Sequence, residues 1–135
     1  MNASMDAVEF AKINEEVSSA INKAETPDEK ARAVAAGNVR LAEAQQVSSA
    51  KRTQEEVDTR RKALEDAKEV ELHTKARMEA LEHTAKMTGK EVDYTPLKQA
   101  IADREVAEKE LTIAENKQKE ETIRAATNVA NAKAA

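Results

Sequence analysis

Apolar residues return along this chain at intervals of three, four and seven, the spacing that lines one side of a helix. Phe10, Ile13, Val17, Ala20 and Ala24 form one such series, and Val57, Leu64, Ala67, Met78, Leu81 and Ala85 a second. Leu97, Ala100, Ala107, Leu111, Ala114 and Ala125 form a third. Stripes of this kind are coiled-coil seams, so the pattern predicts helices packed side by side. Ala100, Ala107 and Ala114 fall seven apart, a small-residue stripe that lets a neighbouring helix approach closely, either within the chain or from an identical subunit. The same frames contain Arg60, Glu71, Thr74, Arg104 and Gln118, which weaken any simple two-stranded seam. In AEAQQVSSAKRTQEEV (42–57), Val47 is the only large apolar residue before Val57. Packing there has to rest on alanine, serine and side-chain hydrogen bonds.

The boundaries of these helices are set by two prolines, Pro27 and Pro96, each preceded by threonine. Proline fixes φ and has no N–H, so it suits the first turn of a helix, and it drives the preceding residue toward the conformation of an N-cap. At the first pair, Thr26 and Glu29 have capping-box spacing, and Asp28 and Glu29 meet the positive helix end. At the second, Thr95 and Pro96 repeat the signal without a following acid, because Lys98 stands in its place. Gly89 supplies a left-handed cap for the helix before it. The reading is an all-α chain forming one elongated domain, with helices over 4–25, 27–87 and 96–133 and a loop over 88–95. A middle helix of about 61 residues would run about 90 Å. The outer two together nearly match it, which suggests a spine with helix 1 folded back along its N-terminal part and helix 3 along its C-terminal part. The rival arrangement is a kinked rod continuous through residue 26. Gly37 costs about 1 kcal/mol relative to alanine inside a helix, and marks either a break or a close crossing by a neighbour; a continuous helix is expected there.

Composition strengthens the helical reading and narrows the core. Hydrophobic residues are 40% of the chain, but half of them are alanine, and Leu, Ile, Val and Phe together number 22. So thin a core would suggest disorder if net charge were high, yet 26 acids and 22 bases leave only −4 and are mixed throughout. Alanine, glutamate, lysine and arginine are strong helix formers. Acid-to-base pairs at i,i+4 support them at Asp28–Arg32, Glu56–Arg60, Asp58–Lys62, Glu71–Lys75, Glu82–Lys86, Glu105–Lys109, Glu115–Lys119 and Glu120–Arg124, each worth about 0.2–0.5 kcal/mol. One narrow apolar stripe offsets little of the ~1–2 kcal/mol that ordering each residue costs. Association with other copies or a larger partner is the expected remedy.

Motifs for chemistry are missing. There is no cysteine, which removes thiolate catalysis and thiolate metal sites and fits a reducing compartment or indifference to redox. His73 and His83 lie ten apart, on different faces of a helix, and Glu-x-x-His spacing fails because Val70 and Ala80 stand where the acids belong. They read as surface histidines, with no metal and no cofactor expected. Two glycines leave no phosphate-cradling loop, and no HExxH or nucleophile elbow occurs. In KRTQEEVDTRRK (51–62), Glu55, Glu56 and Asp58 interleave the bases, giving a solvated ion-pair face rather than a nucleic-acid footprint. Phe10 and Tyr94 alone offer no stacking platform for bases. The repeat of VSSA at 17–20 and 47–50 does not extend into its surroundings. The N-terminus has no signal-peptide apolar run and no segment reads as a membrane span, so a soluble chain of the virion or cytoplasm is expected.

In composition the chain resembles small alanine- and charge-rich helical proteins of virus particles, capsid scaffolds and secretion machines. That likeness implies a non-enzymatic structural subunit of a multi-copy assembly, such as a bacteriophage virion or ejection component, with nucleic acid at most a packaged or translocated cargo. The alternative is a helical-hairpin adaptor or chaperone for a secretion or assembly apparatus. The residues expected at helix-packing or oligomer interfaces are Phe10, Ile13, Val17, Val57, Leu64, Met78, Leu81, Leu97, Ala100, Ala107, Leu111 and Ala114.

Overall fold

The computed structural model describes residues 2–135, with side chains from Ala7 onward. Its elements are α1 (Asn2–Lys23), α2 (Pro27–Thr88) and α3 (Thr95–Ala134), and the described residues include no strand. The all-α fold with a very long middle helix is as the sequence predicts, and the ends agree within two residues.

The two Thr-Pro pairs work in different registers. At α2, the backbone carbonyl of Thr26 accepts from Lys30 N–H, making Thr26 the N-cap and Pro27 the first helical residue. Thr26 Oγ1 accepts from Glu29 N–H at 3.1 Å, while Glu29 Oε2 reaches back to Glu25 N–H at 2.9 Å, one residue beyond the usual capping-box target. At α3 the first helical bond runs from Lys98 N–H to the Tyr94 carbonyl. Thr95 is therefore inside the helix, and Pro96 is its second residue. The N-cap expected at Thr95 is thus Tyr94, and the side chain that meets the first free N–H is that of Asp93, whose Oδ1 accepts from Thr95 N–H at 3.0 Å. Proline has no N–H to satisfy, so either position in the first turn suits it.

Gly89 ends α2 with φ of 73° and donates to the Ala85 carbonyl at 2.7 Å, the left-handed cap expected of it. Gly37 does not interrupt α2. A Cβ at this position would fall inside contact distance of Val17 Cγ1, so glycine is required by the close approach of α1. Arg40 Nη2 donates to Glu16 Oε2 at 2.6 Å beside it. These contacts establish that α1 folds back on α2 and dispose of the rod continuous through residue 26.

Two compact units divide the chain: Met1–Thr53 with Gln118–Ala135, and Gln54–Lys117. In the first, α1 and the end of α3 both lie against the early part of α2. Lys133 Nζ approaches Glu43 Oε1 at 3.8 Å, and Ser49 Oγ donates to Glu121 Oε2 at 3.2 Å. The expected end-to-end tiling of the outer helices gives way to overlap on the early part of α2, where Gly37 and Arg40 meet α1 while Glu43 and Ser49 meet α3. The second unit is an antiparallel hairpin of two helices, with Val57, Glu71, Thr74 and Met78 of α2 buried against Ala100, Ala107 and Ala114 of α3.

Candidate functional site

In the two-helix unit the alanine stripe sets the spacing. A neighbour can approach a helix closely only where side chains are small, and Ala100, Ala107 and Ala114 are all buried. Val57, 2% exposed, fills the opposite side together with Met78. Each removes roughly 1.5–3 kcal/mol worth of apolar surface from water.

The polar residues in the seam find partners in the same chain. Arg104 Nε donates to Glu71 Oε2 at 2.6 Å and its Nη1 to Glu108 Oε1 at 2.9 Å. Arg60 Nη1 donates to Glu110 Oε2 at 2.9 Å, and Lys117 approaches Glu56 at 3.6 Å. The guanidinium of Arg104 is raised above its ordinary value, first by its bond to Glu108 and then by that to Glu71. Thr74 Oγ1 donates to the Val70 carbonyl of its own helix at 2.7 Å, so its burial leaves no donor unmet. These cross-links replace local pairs read from the sequence: Arg60 goes to Glu110 and Glu56 to Lys117, while Glu71 keeps Lys75 at 3.5 Å. An arginine reaches a carboxylate across a close helix pair as readily as one turn along its own helix. The charges of this seam tie α2 to α3.

The three-helix unit uses a different set. Ile13 and Val129 are buried, and so are Gly37, Ser48 and Thr53 of α2. Thr53 Oγ1 bonds back to the Ser49 and Ala50 carbonyls at 2.9 and 3.2 Å. From Ala42 to Thr53 the chain thus packs through small and hydroxyl side chains, as expected, and the lone large apolar residue there, Val47, is 68% exposed. An open groove of about 410 Å³ lies among Phe10, Gln46, Ser49, Glu121 and Ala125. Glu16 is held below its ordinary 4.5 by its bond from Arg40.

Of the expected interface residues, Ile13, Val57, Met78, Ala100, Ala107 and Ala114 are buried, and Phe10, Val17, Leu64, Leu97 and Leu111 are half-buried. Leu81 stays 45% exposed beside the α2–α3 turn. There, Met78, Leu81, Ala85, Val92 and Pro96 line a second open groove of about 430 Å³. Tyr94 Oη donates to Glu82 Oε1 at 2.8 Å, which raises the phenol above its ordinary 10.0. Asp93 is held below 3.8 by Thr95. The sequence reading did not single out Val129, Ser48 or Thr53. Ser48 and Thr53 gave no apolar signal, and Val129 continues the α3 series four residues beyond Ala125.

His73 and His83 are both exposed. Among the described residues no group of His, Asp and Glu is arranged to hold a metal ion, and no helix is long and apolar enough to cross a membrane. Compared with protein-family models, curated proteins and solved structures, the chain matches none of them.

Proposed function

We propose that this chain is a non-enzymatic structural subunit that acts in multiple copies. The observation that carries this reading is the surface of the two-helix unit. Its seam is closed by alanines and ion pairs, while Val70, Leu72, Leu81, Met87, Val106 and Ile113 face solvent. A helix pair buries one side of each helix, and large apolar side chains left on the others gain by association. The compositional likeness to virion components names the setting, a bacteriophage internal or ejection protein, and rests on composition alone. The non-enzymatic part rests on the sequence, with no cysteine and no catalytic motif.

Absolute mass by light scattering across a concentration series, with helicity from circular dichroism, tests this. A discrete oligomer with high helicity is the expected result; a helical monomer at every concentration overturns it. That second outcome would favour the adaptor or chaperone reading, which draws its support from the apolar groove beside the α2–α3 turn.

A further inference from the structure

The seam of α2 outlasts the helix that covers it. Val57, Leu64, Glu71, Met78 and Ala85 are spaced by seven, and α3 begins only at Thr95. Beyond Met78, residues 89–94 return without helical structure, and Val92 is half-buried. Leu81 and Ala85 therefore continue an established helix-packing face into a groove with no helix over it.

The rim of this groove carries Arg77 and Lys90 against Glu91 and Asp93, two charges of each sign. A partner of strong single charge would find nothing there to select it. An isologous contact presents the same patch twice, so it needs a patch able to satisfy itself, and adjacent Lys90 and Glu91 can each meet the opposite residue of the other copy.

We infer that a second copy of this chain seats on the α2–α3 turn, groove to groove about a two-fold axis, burying Leu81 against its counterpart. This rests on the multi-copy reading and names one of its contacts.

Because the chain has no cysteine, a single introduced thiol reports one contact. Leu81→Cys, and separately Thr84→Cys in the same groove, would be oxidised mildly and compared with Val34→Cys, an exposed position in the three-helix unit. Disulfide-linked dimer should form at least about tenfold faster at one or both groove positions than at Val34→Cys. Rates no higher than the control at both overturn the inference. Leu81→Lys should lower the assembly mass about twofold with helicity unchanged, and retention of the full mass overturns it too. If light scattering shows assembly while the groove thiols fail to couple, this contact falls and the multi-copy reading stands. A monomer at every concentration removes both.

Discussion

The early and late parts of α2 solve one problem in two ways. Both must pack a helix poor in large apolar residues, and both do so through small side chains at the contact. In the three-helix unit the small residues lie on α2 itself: Gly37 admits α1, and Ser48 and Thr53 are buried where helices crowd. In the two-helix unit they lie on the neighbour, at Ala100, Ala107 and Ala114, and α2 keeps the bulk of Val57 and Met78. Polar groups do the same two jobs in both: Thr53 and Thr74 answer their own backbone, while Arg40 reaches Glu16 in the first unit and Arg104 and Arg60 reach across the pair in the second. What differs between the units is therefore which helix gives up bulk at the contact.

The sharpest way to break the comparison is to give each small residue bulk. Ala107→Leu should destabilise the hairpin by about 1–3 kcal/mol or more, since α3 has no room to retreat without losing Val57 and Met78 as well. Met78→Ala, which empties the same seam from the other side, should cost about 2–4 kcal/mol. Thermal and urea unfolding read both, and a change under about 0.5 kcal/mol would mean that the seam is not packed as described.

Gly37→Ala tests the three-helix unit. Helix propensity alone predicts a gain of about 1 kcal/mol. The approach of Val17 predicts a net loss instead, recovered in the double variant with Val17→Ala. A simple gain in the single variant would show that α1 does not lie there. Gly89→Ala meets no atom within 4 Å, so its loss of about 1–2 kcal/mol should come from backbone conformation alone, and Gly89→Asn should lose less.

Acidity gives the smallest effects. Asp93 and Glu16 are held below 3.8 and 4.5, so the unfolded chain binds their protons first. Their contribution is full above those values and is lost as pH falls through the lower folded ones. Tyr94, raised above 10.0, contributes below that value and loses its contribution as pH rises through its folded pKa. Stability measured against pH should droop at both ends, with Tyr94→Phe removing only the alkaline fall and Asp93→Asn reducing only the acid one.

The helices were legible because their signals are local: two Thr-Pro pairs, a glycine after Thr88, and apolar spacing of three, four and seven. Six of the twelve residues expected at interfaces are buried for the same reason. What sequence could not supply was pairing. Arg60 had Glu56 one turn away, and nothing in the chain order favours Glu110, fifty residues on. Asp93 was passed over as a cap because proline drew the boundary to Thr95, although an acid two residues before an N–H is a common capping arrangement. The overlap of α1 and α3 on α2 was hidden because their summed length matches that of α2, a coincidence that suggested tiling.

The links within the two-helix unit also order themselves by distance along the chain. Tyr94 and Glu82 are 12 residues apart, Arg104 and Glu71 33, and Arg60 and Glu110 50. Loop closure grows harder with length, but each link formed leaves only the difference between successive separations to close for the next. The turn at Gly89 is where this series is cheapest to begin, so the hairpin can form as a zipper does, from its closed end outward, one rung shortening the loop that the next must close.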